Sequence, residues 1–401
     1  MSIDLQKFDG GKGWMTKAFG LGVVGLVLAA GAGFLSKKEA LFGYLVSFTY
    51  WAGIALTSLI MLMIFHAFRA KWMVVLRRPL EAMATTVPLF LLLCIPILLG
   101  MSDLYSWVHP DHASLSHEAN EMLAHKAGYL NVPFFVARTV GYLVFASLVA
   151  WRLFGLSTRQ DTSGDPGLTQ KQRNWGVAGL PFMALVITFA AFDWLMSLNP
   201  LWFSTIFGVY YFAGSFWSTL AILIIATTLA RGRGLFGEYV NVEHLHNLGK
   251  LLFAFTCFWG YIAFSQMMLI WIANLPEEIG FFTVRMKGDW AYLGILLMVG
   301  HFLVPFGLLL SRQLKRTPGR LSLVAGWALV MNLVDIFWLV MPTLDEKAVP
   351  LSAGMLLGLV GSFVGVGGLA VAFAIWRIRG HFTVPVKDPF LPVSLRYRQP
   401  T

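Results

Sequence analysis

The chain has 401 residues, of which 57% are hydrophobic and only 12% are charged, and its formal net charge is +10. So few charges could not cover a soluble surface of this size, so the composition excludes an ordinary water-soluble fold. The chain is predicted to fold in a lipid bilayer.

Ten segments are apolar over about the 20 residues that a helix needs to cross a bilayer. Continuous apolar runs of this length indicate helices, since a β-barrel would show short alternating segments. Asn199-Pro200 is predicted to form a tight turn between the fifth and sixth helices. We therefore predict an all-α integral membrane protein with about ten transmembrane helices. The predicted spans are 18–35, 41–68, 82–102, 132–153, 175–198, 201–230, 251–272, 290–310, 321–341 and 351–376.

The distribution of lysine and arginine predicts the orientation. Of the 30 basic residues, 23 fall on the side that holds both termini, six fall on the other side, and Arg138 lies within a span. By the positive-inside rule, both termini are expected in the cytoplasm. This pattern accounts for the net charge, so we expect no nucleic-acid partner.

A repeat divides the chain. Residues 50–64 read YWAGIALTSLIMLMI, and 161 positions later residues 211–225 read YFAGSFWSTLAILII. Val140-Gly141-Tyr142 in the fourth span matches Val299-Gly300-His301 in the eighth. The repeat predicts two parallel four-helix bundles, related by an axis along the membrane normal, with the first and tenth helices flanking the pair. The expected divisions are 1–40, 41–200, 201–342 and 343–401.

Polar side chains inside the spans are the candidates for chemistry, because an ion at the centre of a bilayer costs about 2.5 to 3.5 kcal/mol. Four of them, Asp193, Asp335, Arg138 and Gln266, are expected toward the outer ends of their helices, where they could face one another. His301 and Asn332 are expected near the middle of the membrane. Six residues are candidates for a proton pathway or a quinone-facing cavity: Asp193, Asp335, His301, Arg138, Asn332 and Gln266.

Each candidate also has a structural interpretation, which stays open at this point. The two acids could form ion pairs or helix caps, with Arg138 as the counter-ion of one of them. His301 could relay protons, since imidazole titrates near neutrality, or could be satisfied by a neighbouring hydroxyl or amide.

On the cytoplasmic side, four residues are candidates for proton uptake: His66, Lys250, Glu243 and His246. Snorkelling toward the headgroups is the simpler interpretation for His66 and Lys250. The segment 243–246 is predicted to be a solvated loop.

Two further patterns predict packing and not chemistry. The long outer loop 103–131 contains four histidines, but their spacing matches no compact zinc motif, so we predict no metal site there. Residues 115–130 within it are predicted to form an interfacial helix. Glycines 354, 358, 361 and 365 give two G-x-x-x-G motifs, 354–358 and 361–365, which indicate a close helix interface within the chain or with another subunit.

The cysteines restrict redox chemistry. Cys94 and Cys257 are the only two, both inside predicted spans, and no C-x-x-C-H motif is present. The chain cannot supply four thiolates to an iron–sulfur cluster or attach haem covalently in the usual way. Any redox centre is expected on a partner or as a diffusible molecule.

Two stretches resemble a known family. FDWLMSLNPLWFSTIFGVYYFAGSF (192–216) and HNLGKLLFAFTCFWGYIAFSQ (246–266), within a doubled four-helix core, resemble the polysulfide-reductase or NrfD-like membrane subunits. The likeness covers essentially the whole chain. It is strongest to the shorter of the two such subunits in alternative complex III, the bacterial quinol:cytochrome c oxidoreductase.

This resemblance implies a respiratory assembly in the inner membrane of a bacterium that oxidises quinol, either menaquinol or ubiquinol. The implied partners are iron–sulfur and multihaem cytochrome c subunits, the longer NrfD-like subunit, other membrane subunits and lipids. The shorter subunit would contribute a quinone interaction or a proton pathway and hold no redox cofactor of its own. The resemblance supplies no residue assignments, so the six candidates rest on depth and chemistry.

Three other functions are alternatives to a respiratory subunit that handles quinone or protons. A proton-coupled secondary transporter also shows repeats and mid-membrane polar groups, but it would need broken helices at a substrate site. Pro88, Pro96 and Pro305 allow kinks, and no paired unwound motif is evident. A b-type cytochrome is disfavoured because His66 and His301 are expected at different depths. A structural scaffold for the complex remains open.

Overall fold

The computed structural model describes residues 7–113, 115–236 and 239–398, and those residues form an all-helical membrane protein. They contain ten helices long and apolar enough to cross a membrane, and their only β pairing is a single bridge between Lys7 and Phe382. The prediction of an all-α protein with ten transmembrane helices is confirmed. The spans are α1 (Lys12–Leu35), α2 (Lys37–Ala67), α3 (Lys71–Leu99), α4 (Val132–Ser163), α5 (Gly167–Leu198), α6 (Phe207–Gly232), α7 (Val242–Ala273), α8 (Gly288–Leu310), α9 (Pro318–Thr343) and α10 (Ala353–Ile378).

Because consecutive spans alternate in direction, both termini and the connections after α2, α4, α6 and α8 lie at one end of the molecule. We call this end the basic face and the other end the opposite face. A helix at His117–Lys126 lies in the long connection at the opposite face, within the segment predicted to be an interfacial helix.

Several spans extend beyond their predicted limits at the basic face. α4 continues to Ser163, α5 begins at Gly167 and α7 begins at Val242. A hydropathy scan stops at the first cluster of charges, whereas a helical backbone continues through the headgroup region with its charged side chains extended toward water. The segment 243–246 is therefore the first turn of α7, and the prediction of a solvated loop there is wrong.

α3 is a broken span. It begins at Lys71, eleven residues before the predicted start at 82, and consists of short 3₁₀ and α-helical pieces with Pro88 and Pro96 at two of the junctions. Proline has no backbone N–H and cannot continue the helical hydrogen bonds, which explains the interruptions. Arg77 and Arg78, expected in a loop, are buried in the first α-helical piece.

The connection between α5 and α6 is longer than the predicted turn at Asn199-Pro200, because α6 begins only at Phe207. Among the residues before it, Trp202 is buried and its ring stacks on Phe281 with centroids 3.9 Å apart, whereas Phe203 is 51% exposed. Phe281 belongs to a short helix, Pro276–Arg285, that lies over this end of the bundle. The segment 201–206 is therefore a partly buried connection and not the start of the sixth span.

The spans form two four-helix groups with the same neighbours. In α2–α5 and in α6–α9, the first helix contacts the second and the fourth, and the third contacts the second and the fourth. The groups meet where α2 runs beside α6. There the Thr57 and Thr219 hydroxyls lie 2.7 Å apart, and the Tyr211 hydroxyl donates to the Thr49 carbonyl at 2.5 Å.

α1 and α10 pack along each other and against α2, so both flanking helices lie beside the first group. Their glycines allow the close approach: a Cβ at Gly361 would lie 2.8 Å from the Ala29 nitrogen and 2.9 Å from the Gly25 carbonyl oxygen. The G-x-x-x-G interface therefore lies within this chain.

A buried ionic network ties the C-terminal tail to the basic face. Arg77 Nη1 lies 2.7 Å from Asp388 of the tail. Arg78 lies 2.7 Å from Glu81 and 2.5 Å from Asp161 of α4. All five side chains are nearly inaccessible to solvent. The network holds together two spans and the tail.

Candidate functional site

Asp193, near the end of α5, is bound by a complete set of donors. Arg138 of α4 donates through Nε and Nη2 to its two carboxylate oxygens at 2.9 and 2.8 Å, and the Tyr142 hydroxyl donates at 2.9 Å. The guanidinium also donates to the Tyr129 carbonyl at 3.0 Å and lies over the Tyr129 ring. Arg138 is thus the counter-ion of Asp193, and the ion-pair interpretation describes this acid.

Asp335 occupies the equivalent position on α9 but has different partners. Its carboxylate accepts hydrogen bonds from the Tyr210 hydroxyl of α6 and from Trp259 Nε1 of α7, the latter at 3.1 Å. The residue is 1% exposed, and no cation of the described residues lies within ion-pair distance of it. Asp335 is therefore a buried acid held by two neutral donors.

His301 lies beside this carboxylate, between two tryptophans. Its ring stacks on Trp259 at a centroid distance of 3.6 Å and on Trp217 at 4.2 Å, with interplanar angles of 4° and 14°. The residue is fully buried, and neither ring nitrogen has a hydrogen-bond partner among the described residues. Trp259 thus contacts both groups: its indole face contacts the imidazole, and its N–H binds Asp335.

A local irregularity of α8 places the imidazole. Residues Leu297–Leu303 form a π-helical segment, and Pro305 follows it. A π turn and a proline both disturb the regular backbone hydrogen bonds of α8. Within the π segment, the Gly300 carbonyl accepts a hydrogen bond from Trp327 Nε1 at 2.7 Å. A Cβ at Gly300 would lie 2.5 Å from Met331 Sδ, so the glycine lets α8 approach α9 closely. Single π turns are frequent at functional sites.

The repeat explains why the two acids differ. Tyr142 and His301 follow the matched Val-Gly pairs of α4 and α8. In the first group the tyrosine binds the acid directly, whereas in the second Trp259 lies between the histidine and the acid. By the same register, Arg138 corresponds to Leu297, so the second group has no arginine at that position.

The two predicted amides take separate places. Asn332 lies against Gly214, one turn from Trp217, and its Oδ1 atom is buried without a partner in the described parts of the chain. Gln266 donates to the Ser204 hydroxyl at 2.9 Å, near the opposite face. Of the four groups expected to be able to face one another, Arg138 and Asp193 do so, whereas Asp335 and Gln266 lie in the other group of helices.

The sequence analysis missed Arg285, at the end of the Pro276–Arg285 helix. It is 3% exposed and donates to the carbonyls of Phe281, Trp338 and Leu339 at 2.9, 3.2 and 2.8 Å. Burial lowers the pKa of Arg285 below its usual range. Tyr210 and Trp259 were missed as well, because only the rotation of three helices shows that they meet at Asp335.

The four basic-face candidates do not form one site. Glu243 pairs with Arg316 at 2.7 Å and lies 3.8 Å from His246, at the start of α7. Lys250 is exposed, in agreement with snorkelling. His66, at the end of α2, is 7% exposed and lines a cavity, so the snorkelling interpretation is wrong for it.

Two cavities in the structure are separate from both acids. An apolar groove of about 530 Å³ lies between α2, α5 and α6, and the cavity beside His66 measures about 240 Å³. Neither is lined by any of the six candidates for a proton pathway or quinone-facing site.

No protein-family model matches this chain, and no curated protein matches its sequence.

Proposed function

We propose that the chain is a proton-handling membrane subunit of a quinol-oxidising respiratory complex, with Asp335 as the group that takes up and releases the proton. One observation carries the proposal: Asp335 is buried between neutral donors, whereas Asp193, at the equivalent position, is bound by Arg138. Burying an ion without a counter-ion costs on the order of several kcal/mol. Proton uptake by Asp335 removes such a charge.

The neighbours of Asp335 suit both protonation states. Tyr210 and Trp259 stabilise the carboxylate when it is charged. A protonated His301 would be stabilised by the faces of its two tryptophans, as cations are over aromatic rings. The free nitrogens of His301 and the free oxygen of Asn332 are sites at which water binds, since buried polar atoms are rarely left without a partner. These groups outline a short proton path in the second group of helices.

The respiratory assignment rests on the two stretches that resemble NrfD-like subunits. The same stretches contain Tyr210 and Trp259, the donors to Asp335, and also Asp193. We therefore assign the chain to the role of the shorter such subunit in alternative complex III. Quinol would be oxidised beside it, and electrons would pass to iron–sulfur and multihaem cytochrome c subunits.

The charge distribution supports an orientation in a bacterial cytoplasmic membrane. The basic face would lie in the cytoplasm, and Asp335, at the other end of α9, would lie nearer the periplasm. Glu243, His246 and Lys250 would lie on the cytoplasmic side as candidates for proton uptake.

The test is Asp335→Asn in the complex purified from its native membranes and reconstituted in vesicles. Asparagine keeps the size of the side chain and cannot exchange the proton. The rate of proton release is expected to fall by about 100-fold or more, the range for loss of a positioned proton-transfer group, and proton release per electron transferred to cytochrome c is expected to fall with it. The measurement is acidification on the side of proton release, followed together with cytochrome c reduction.

Asp193→Asn is the matched control, since it makes the same change at the equivalent position. It removes a charge from the Arg138 pair, so the expected loss is in the yield of assembled complex, with an unchanged proton-to-electron ratio for the complex that does assemble. An assembled Asp335→Asn complex with a wild-type ratio would disprove the proton role and favour a structural scaffold.

The broken helices do not favour a secondary transporter. The interruptions lie in α3 and in the π segment of α8, which are not equivalent positions of the repeat. Paired discontinuous helices at equivalent positions are the feature expected of a transporter site. A transporter would also purify without haem or iron–sulfur partners, which a reduced-minus-oxidised spectrum of the native preparation reveals.

A further inference from the structure

The cavity of about 240 Å³ at the basic face is formed by four parts of the chain. The end of α2, the start of α3, the start of α5 and the C-terminal tail surround it. Leu62, Phe65 and Leu80 give it an apolar floor, and the tail contributes Pro389 and Phe390. Ala67 and Lys71, where one span ends and the next begins, place it at the membrane boundary.

The lining carries a strong positive charge. None of the lining residues, all of which lie within the described ranges, is acidic. Four of them are cationic: Arg69, Lys71, Arg77 and Arg173. Arg77 is neutralised by Asp388 and Glu81. The other three have no carboxylate within ion-pair distance among the residues that the structure describes.

Those three make contacts that leave their charge available. Arg69 Nη2 donates to Gln170 Oε1 at 3.2 Å, and Arg173 Nε donates to the Ala67 carbonyl at 3.5 Å. Lys71 Nζ lies over the Phe390 ring, 5.4 Å from its centroid. Each contact is to a neutral group, so the cavity is a region of uncompensated positive charge.

Two buried polar atoms of the lining residues also lack partners. Among the described residues, nothing binds Nε2 of His66 or Nη2 of Arg77, although these residues are only 7% and 6% exposed. Buried polar atoms are nearly always hydrogen-bonded, and Arg77 Nη2 can only donate. An acceptor atom bound in the cavity would give Arg77 Nη2 a hydrogen-bond partner.

We propose that this cavity binds a phosphate group. A phosphate supplies several acceptor oxygens, and arginine binds such oxygens with strong, charge-assisted hydrogen bonds. Two sources present this chemistry: the headgroup of an anionic phospholipid, for which the apolar floor and the membrane boundary are suited, and a soluble phosphate. No residue of this site contacts Asp335, so the proposal is independent of the proton role.

The test measures binding of two probes to the full chain purified in detergent. Inorganic phosphate is titrated against chloride at matched ionic strength, and phosphatidylglycerol is titrated against phosphatidylcholine. A ligand that binds only the folded state raises the midpoint of thermal unfolding with concentration. Stabilisation by phosphatidylglycerol alone identifies the lipid headgroup as the source, and stabilisation by inorganic phosphate as well identifies a site open to soluble phosphate.

The variant Arg69→Gln/Arg173→Gln is expected to bind the active probe more than about tenfold more weakly, since each basic side chain near a membrane surface contributes about 1 kcal/mol. Lys71→Gln is a second, independent variant with an exposed side chain. Lys171→Gln is the matched control. Lys171 is an exposed cation of α5, the helix that carries Arg173, and it does not line the cavity. The proposal is overturned if neither probe stabilises the wild type, or if the double variant binds as tightly as the Lys171 control.

Discussion

At the scale of single residues, the same side chain in the same repeat position takes two roles that its neighbours decide. Asp193 meets a guanidinium and a phenol, which satisfy it as an ion. Asp335 meets a phenol and an indole, which donate hydrogen bonds but carry no charge. A paired buried charge is fixed in place, whereas an unpaired one gains from binding a proton.

The ion pair makes a quantitative prediction. Arg138→Ala leaves Asp193 buried with one phenolic donor, and we expect the free energy of unfolding to fall by about 3 kcal/mol, the usual cost of an uncompensated buried charge. The fall is measured as a lower midpoint of thermal unfolding in detergent. The double variant Arg138→Met/Asp193→Leu, which removes both charges, is expected to recover most of the loss. A double variant as unstable as Arg138→Ala alone would show that packing, and not charge pairing, dominates at this site.

At the scale of helices, close approach depends on small residues at particular positions. Gly361 on α10 contacts the backbone of α1 at Gly25 and Ala29. Lipid offers no hydrophobic force between helices, so such van der Waals packing holds α1 and α10 together.

Gly361→Leu should separate these two helices, because even a Cβ at this position would lie 2.8 Å from the Ala29 nitrogen. We expect a loss of about 2 kcal/mol or more, as for overpacking in a close-packed interior. The measurement is thermal unfolding in detergent. Gly33→Leu is the control, since no atom lies within 4 Å of a Cβ at that position. Equal loss in both variants would show that the effect does not come from the α1–α10 interface.

At the scale of the whole molecule, two groups of four helices meet along α2 and α6. The C-terminal tail packs against the helices at the basic face. The tail binds Arg77 through Asp388 and contacts α4 through the Val386 amide, which donates to Asp161 at 3.1 Å. The Ser394 hydroxyl also donates to the Trp72 carbonyl at 2.8 Å. These contacts hold the tail against the cavity proposed to bind phosphate.

Asp388→Ala should release the tail, because it leaves the guanidinium of Arg77 with Glu81 as its one remaining acidic partner. We expect a loss of about 3 kcal/mol in the free energy of unfolding and at least tenfold faster trypsin cleavage in 379–398. Both are measured on the purified chain. Arg396→Lys, at an exposed position of the same tail, keeps the trypsin site and is expected to change neither. Unchanged cleavage in Asp388→Ala would mean that the ion pair does not hold the tail.

The sequence by itself determined the number and order of the spans and the existence of the repeat. Insertion into a bilayer is a local property, since each segment's transfer free energy is summed over its own residues. The same reasoning marked Asp193, Asp335, Arg138 and His301 as unusual. It misjudged 201–206, a connection in which protein buries Trp202 but leaves Phe203 half exposed, and 243–246, which is the first turn of α7.

Only the tertiary structure decided which acid is paired, which is held by Trp259, and that His66 lines a charged cavity. These facts depend on the rotation of each helix about its axis and on contacts between residues far apart in sequence, such as Tyr210 with Asp335. Hydropathy and charge patterns carry little information on rotation when a span is apolar on all sides, because such a helix has no polar face to orient it.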